Sequence, residues 1–386
     1  MLELPDMNEI LSIHNADKSF PLKGNGPDKQ TNAMLKAVDQ VSLTLQQGET
    51  LGLAGESGCG KSTVAKLLTG LLQPDSGSIS FQGTDIRELV SETQRIFRRS
   101  VQMIFQDPFS SLNPRMRIGD AIAEPLLIHG LCDKQQIRET TCRLMAQVGL
   151  GSDQYDRFPH EFSGGQRQRI GIARALAAQP SVLVADEPVS SLDISIQAQI
   201  INLLQELKQQ HGLTMLMVSH DLGVLRHVSD RIAVMYLGSI VELAPAQELF
   251  RQCRHPYTQA LLAAIPRLHK SLDSSPAPAI RSHELPSAAN LPQGCRFHPR
   301  CPYAADICRQ TPPPLIETQP GHIVACHMKY SATLDDTPLT LEQRLTQYDP
   351  ARHGSEFMQA APLDAKNDSC QTSSDVGAGS SGDHLD

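Results

Sequence analysis

Tryptophan is absent from the 386 residues and aromatic side chains make up only 4 %, so large aromatic anchors are scarce. No apolar run reaches about 18 residues, which excludes a membrane-spanning helix. The first residues, Met1-Leu2-Glu3-Leu4-Pro5-Asp6, are acidic and lack the basic and apolar regions of a secretion signal. A cytosolic setting is therefore expected, in which the nine cysteines are reduced thiols or metal ligands. A positive charge excess is missing as well: the formal net charge is -8, which argues against a nucleic-acid partner. The length suits one large core domain with a smaller appendage, or two modest domains.

What is present centres on Gly55-Glu56-Ser57-Gly58-Cys59-Gly60-Lys61-Ser62-Thr63. This stretch fits G-x-x-x-x-G-K-[ST], a loop whose backbone N–H groups cradle nucleotide phosphates. Glycines let the backbone curl with its amides inward. Lys61 supplies positive charge to the outer phosphates and Ser62 a hydroxyl for Mg²⁺. The frame fits too: Thr50–Ala54 reads as a short buried strand and Ser62–Leu72 as a helix whose N-terminus lies under the phosphates.

Upstream, Ile10–His14 and Val41–Leu45 alternate like strands. A polar insertion from about Lys23 to Asn32 reads as a surface loop between them. Phe20 is either a core aromatic or a platform for adenine. Downstream, Ser78–Phe81 and Val101–Phe105 read as strands, the latter leaving the sheet at Gln106-Asp107-Pro108. From there to about Leu150 the pattern is helical, with Ile118, Ile122, Leu126 and Leu127 at helical spacing. Ser163 is a good N-cap for the helix begun by Gly164-Gly165-Gln166, and that exposed start is an anion site.

Val182-Leu183-Val184-Ala185-Asp186-Glu187 is an apolar run ending in two carboxylates. Such a run suits a central parallel strand, and its C-terminal end faces a ligand crevice. An unpaired buried carboxylate there costs several kcal/mol. Asp186 is therefore expected to hold Mg²⁺ through water, and Glu187 to act as general base on the attacking water. After a helix from about Ile196 to Gln210, Thr214–Val218 forms another apolar strand and delivers His220 to the same sheet edge, where a γ-phosphate sensor belongs. Ile232–Tyr236 and Ser239–Glu242 read as a hairpin around Leu237-Gly238.

With these pieces in order, the chain from Ile10 to about Arg267 resembles the ATP-binding subunit of an ABC transporter. The resemblance rests on six motifs: the phosphate loop, the Gln106 loop, Phe162-Ser163-Gly164-Gly165-Gln166, Leu183–Glu187, Ser190-Ser191-Leu192-Asp193 and His220. Phe162 stands where the common signature has Leu. The implied fold is α/β, a P-loop NTPase with a RecA-like core, an antiparallel β subdomain and a helical subdomain. Phe105–Pro114, His255–Leu262 and the cysteine-rich tail resemble, more narrowly, the dipeptide/oligopeptide/nickel importers, and Gly165–Leu176 resembles their second (F-type) ATPase subunit.

The resemblance implies two ATPase domains meeting head to tail, with each ATP between Lys61 of one and Ser163-Gly164-Gly165 of the other. Gln106 would sense Mg²⁺ and the attacking water, Phe20 would carry adenine, and the helical region would dock on a permease. Implied partners are a second ATPase subunit, two transmembrane permease subunits and, indirectly, a periplasmic or extracellular substrate-binding protein. The chain would sit peripherally on the cytoplasmic face of the inner membrane. The expected role is to energise import of di- and oligopeptides, with nickel, other chelates or antimicrobial peptides as other cargoes. A soluble ABC ATPase acting on DNA or ribosomes is the alternative from another class. It would call for an inserted coiled coil or a second nucleotide domain, and the sequence has one phosphate loop and no sustained heptads.

Residues 8–267 are thus expected to form the nucleotide-binding domain. Residues 268–335 would hold a linker and a cysteine-rich C-terminal domain, and 336–386 a disordered tail. Cys295, Cys301, Cys308 and Cys326 have the spacing C-x5-C-x6-C-x17-C, unlike the paired C-x2-C of common zinc sites. They read either as four unconnected buried thiols or as metal ligands; the resemblance implies a [4Fe–4S] cluster, with zinc second.

Overall fold

The computed structural model describes residues 8–22, 34–107, 111–190, 192–265 and 290–329. The expected loop at 23–32, the linker signals at 273–287, Pro108, Ser191 and the expected tail at 336–386 lie outside these residues. The chain opens with strands β1 (Glu9–Pro21), β2 (Met34–Gln46) and β3 (Thr50–Ala54), followed by helix α1 (Lys61–Leu68). Next come β4 (Ser76–Phe81), β5 (Thr84–Asp85), α2 (Ser91–Ser100), β6 (Val101–Ile104), α3 (Ile118–His129) and α4 (Ile137–Gln147). Then follow α5 (Gly164–Ala177), β7 (Val182–Asp186), α6 (Ile194–His211), β8 (Thr214–Ser219) and α7 (Leu222–Val228). The last elements are β9 (Arg231–Tyr236), β10 (Ser239–Pro245), α8 (Ala246–Gln252), α9 (Pro256–Ala263), α10 (Asp306–Gln310), β11 (Ile316–Gln319) and β12 (His322–Val324).

Two sheets result: an antiparallel one in the order β2-β1-β4-β5, and a mixed one in the order β11-β12-β10-β9-β3-β8-β7-β6. The strands from β9 to β6 run parallel. Their residues alternate between two cores, as a pleat requires. Val182 and Val184 of β7 join one core, with Leu51, Leu53 and Val64, while Leu183 and Ala185 join the other, with Ile122, Ile170 and Leu204. Coverage on both faces explains why β7 and β8 are continuous apolar runs. It also leaves the C-terminal ends of β3, β6, β7 and β8 side by side at one edge, with their exits free to hold polar groups.

Several elements differ from the sequence reading in extent. Helix α1 stops at Leu68 rather than Leu72, because Thr69 caps it and Gly70 turns left-handed at φ 69°. The expected helical stretch to Leu150 breaks into α3 and α4, the first ended by left-handed Gly130. Helix α2 lacks an apolar stripe, burying only Phe97, and so gave no periodic signal. The hairpin around Leu237-Gly238 forms as expected, with Tyr236 opposite Ser239 and both turn residues at positive φ.

Residues 290–329 join the core rather than standing apart. Strand β12 pairs with β10, setting Val324 opposite Glu242. Glu242 is fully buried; its carboxylate accepts from the backbone N–H of Arg254 at 2.6 Å and of His255 at 3.1 Å, and lies 2.7 Å from Nε2 of His322. His255 caps α9 through Nδ1, which accepts from Tyr257 N–H at 3.1 Å. Burial depresses the His255 pKa from 6.5 to about 4, against the pull of Glu242. The unfolded chain therefore takes up a proton at His255 before the native state does, and stability falls with acid between those two values. The expected slope from this group is up to about 1.4 kcal/mol per pH unit below about pH 6. Thermal melts from pH 7 to 4.5 should show it, and His255→Asn, which keeps a capping acceptor, should flatten it.

Candidate nucleotide site

The phosphate loop runs from the end of β3 to the start of α1 and is held by backbone approaches too close for side chains. Gly60 caps α1 at φ 111°, where a Cβ would lie 2.1 Å from the Ala37 carbonyl oxygen. At Gly55 a Cβ would meet the Met235 carbonyl oxygen at 2.3 Å. The loop is tied from outside by Gly238 N–H, donating to the Cys59 carbonyl at 2.8 Å, and by its own Glu56 N–H, donating to the Tyr257 hydroxyl at 2.9 Å. Ser57 and Gly58 are exposed at its tip, and Thr63 lies in the first turn of α1. The buried ammonium of Lys61 folds back across the loop, donating to the carbonyls of Gly55 at 2.7 Å and Glu56 at 3.0 Å.

The neighbouring strand ends supply the rest. Ser62 donates its hydroxyl to Asp186 Oδ1 at 3.0 Å. Burial raises the Asp186 pKa; the Ser62 bond opposes that and the Glu187 charge adds to it. Glu187, at φ 44°, leaves β7 in a left-handed turn, its N–H donating to the Val218 carbonyl at 3.0 Å. Its carboxylate is 9 % exposed. Gln106 donates to Oε2 at 3.0 Å, His220 Nδ1 lies 3.3 Å from the same oxygen, and Lys61 Nζ stands 3.7 Å from Oε1. Six side chains expected from sequence to share one site thus fall into two contact groups at adjacent strand ends: Lys61, Gln106 and His220 around Glu187, and Ser62 with Asp186.

The remaining expected residues lie elsewhere. Ser163 and Gln166 form a reciprocal cap at the start of α5, with Gln166 N–H donating to Ser163 Oγ at 3.3 Å and Ser163 N–H to Gln166 Oε1 at 3.0 Å. Gly164 and Gly165 lie against Leu192 and Ile196. Phe20 is half-buried near the end of β1, opposite Leu35, with the Lys18 ammonium 5.9 Å from its ring.

Sequence reasoning missed Tyr257, Gly238 and Arg300, which hold the loop from outside. Arg300 forms a two-pronged ion pair with Glu56, at 2.9 and 3.0 Å. No spacing pattern could have signalled a contact across 244 residues. A metal was expected on Cys295, Cys301, Cys308 and Cys326; among the described residues no group of three or more His, Cys, Asp or Glu side chains is arranged to hold a metal ion. The four cysteines are near neighbours and none is in a disulfide. Burial, together with the charges of the other three, pushes Cys295 up to about 12.

The chain matches two family models, one described as ABC transporter over residues 38–190 and one as Oligopeptide/dipeptide transporter, C-terminal region, over residues 241–308. It is 49 % identical over 320 residues to the oligopeptide transport ATP-binding protein AppF of Bacillus subtilis, covering 83 % of this chain and 97 % of that one. The ATP-binding cassette MJ0796, solved as a dimer in a post-hydrolysis state with ADP and Pi, superposes with a TM-score of 0.54 at 26 % identity, over 61 % of this chain and 99 % of that one. CbiO1 of Clostridium perfringens, part of the ABC transporter complex cbiONQ, superposes with a TM-score of 0.53 at 25 % identity, over 64 % of this chain and 92 % of that one.

Cys59 sits in the phosphate loop at 4 % exposure, and burial raises its pKa. Thiolate chemistry is therefore suppressed there. In the native protein iodoacetamide at pH 8 should modify the partly exposed Cys132 and Cys142 well before Cys59. Peptide mass spectrometry over a time course checks this order.

Proposed function

The chain belongs to the ABC transporter family of ATP-binding subunits, in its oligopeptide/dipeptide branch, and from that we propose that it hydrolyses ATP to drive import of di- and oligopeptides through a membrane complex. The observation that carries the chemistry is the Glu187 carboxylate, held between Lys61, Gln106 and His220 at a strand end. The phosphate-loop amides, the α1 N-terminus and Lys61 bind and orient the polyphosphate. A water in line with the γ-phosphate gives its proton to a Glu187 carboxylate oxygen as it attacks, and Gln106 and His220 fix the orientation of that carboxylate. The hydroxyl of Ser62 and the buried carboxylate of Asp186 are oxygen donors that suit Mg²⁺, whose charge would offset the cost of burying Asp186. Ser62, Asp186 and Gln106 would hold the ion, which supplies charge neutralisation between the phosphate oxygens. Phe20, half-buried near the end of β1, would carry adenine.

The capped start of α5 is exposed at Ser163 and makes its bonds within its own cap, which suits it to the phosphates of a second ATPase subunit. Closure of the two subunits would then depend on ATP. A cleft of about 690 Å³ lies between α2 and β6 on one side and α3 and α5 on the other, lined by Phe97, Met103, Phe105, Glu124, Ile128 and Arg174. Beside it Leu127 and Ile128 are exposed. This cleft suits an apolar segment of a permease subunit; two such permeases and an external substrate-binding protein would complete the complex. Among the described residues no helix is long and apolar enough to cross a membrane, and a peripheral place on the cytoplasmic face follows from that role.

Glu187→Gln should keep ATP binding and lower turnover by about a hundredfold or more. Hydrolysis at the wild-type rate in the purified complex would remove Glu187 from the mechanism. Affinity capture of the chain from detergent-solubilised membranes should recover two permease subunits and a second ATPase. Capture of ribosomes or DNA-bound proteins, or of nothing, would remove transport from the reading and leave the ATPase chemistry.

A further inference from the structure

Glu56 puts a carboxylate into a loop built to receive a polyanion. Its charge is felt at both Cys59 and Tyr257, so it acts across the loop. Unpaired, it would oppose the phosphates that the loop amides and Lys61 attract. Its partner comes from the far end of the chain. Arg300 is 4 % exposed and reaches Glu56 with both terminal nitrogens, Nη1 to Oε2 at 2.9 Å and Nη2 to Oε1 at 3.0 Å.

Arg300 is itself firmly seated. Its guanidinium lies 5.8 Å from the Tyr236 ring centroid and 5.7 Å from that of Phe297. Phe297 also packs against Tyr257, with centroids 5.5 Å apart, and Tyr257 accepts the Glu56 N–H. Arg300 N–H donates to the Phe297 carbonyl at 3.0 Å, which locks the residue into the tight turn after Cys295. A second arginine of that turn, Arg296, pairs with Asp39 and donates to the Leu237 carbonyl. The next residue in the hairpin, Gly238, donates to the Cys59 carbonyl at 2.8 Å. The turn 295–301 therefore supports the phosphate loop at two points, Glu56 and Cys59.

We infer that Arg300 is a positioning residue for nucleotide binding: it neutralises Glu56 and holds that carboxylate against the Tyr236–Phe297 wall, so the loop meets ATP with its positive field intact. ATP affinity then depends on the 290–329 segment, although that segment carries no phosphate-binding motif. The inference rests on the nucleotide reading of the loop.

The test is titration of the full-length protein with a fluorescent ATP analogue and Mg²⁺ at low ionic strength. R300Q should raise Kd about tenfold, as expected when a close opposing charge is left unmatched. Adding E56Q to R300Q should bring Kd back to within about threefold of wild type, and 0.5 M salt should shrink the R300Q defect because the unpaired Glu56 side chain, 25 % exposed, is open to screening. If Arg300 served only packing, E56Q and salt would leave the defect in place, and that result overturns the inference. So does an R300Q Kd within about twofold of wild type. Failure of the wild type to bind the analogue would instead bring down the nucleotide reading and, with it, this one. Should R300Q not give a folded protein by circular dichroism, R300K carries the comparison. It keeps the charge and loses the fork, so its smaller defect should vanish with E56Q, and a defect that persists overturns the inference.

Discussion

The Glu187 carboxylate is the constraint around which the site is arranged. A carboxylate on a residue only 9 % exposed is costly to bury unless charged or hydrogen-bonding groups meet it. Lys61 opens α1 after the loop that leaves β3, while Gln106, Glu187 and His220 lie just past the ends of β6, β7 and β8. These four strands are consecutive in the order β3-β8-β7-β6. Parallel pairing in register is therefore what allows one buried charge to be satisfied, and a displaced strand would leave it without partners. The same convergence that stabilises the carboxylate sets it where a water-activating base is needed.

The phosphate loop depends on a second constraint, close backbone packing. Gly60 against Ala37 and Gly55 against Met235 leave no room for a Cβ, so the loop's shape is set by its neighbours as much as by its own glycines. Met235 belongs to β9, and the hairpin that follows bonds to Cys59. Arg296 and Arg300 brace the hairpin and Glu56 in turn. Strand β12 fixes that bracing segment to the sheet, through pairing with β10 and through the buried Glu242–His322 contact. Local chemistry at the loop is thus tied to packing more than 200 residues away, as the Tyr257 contact with Glu56 illustrates.

Strands β7 and β8 beside the site were legible from composition because both are buried on both faces and so are almost wholly apolar. The Leu237-Gly238 hairpin was legible because its turn needs two positive φ values and a glycine supplies one of them. Helix α2 was not, since only Phe97 is buried on it and no stripe appears. The extent of α1 was misjudged because the apolar pattern runs past Leu68 into Leu71 and Leu72, while a backbone turn at Gly70 decides the end. The clustering in sequence of the four tail cysteines pointed to a metal, and among the described residues no ligand arrangement accompanies it.

By itself the sequence determined the phosphate loop, the paired carboxylates Asp186 and Glu187 and the sheet edge to which Gln106 and His220 belong. Each of these is encoded within a few residues, by glycines that permit a turn or by an apolar run that ends in a polar group. Only the tertiary structure decided that Arg300 neutralises Glu56, that Tyr257 receives the loop's outward N–H and that residues 290–329 extend the nucleotide sheet. Those contacts join residues from 80 to 244 positions apart, and a residue's partner at that distance is fixed by packing, which no local pattern records.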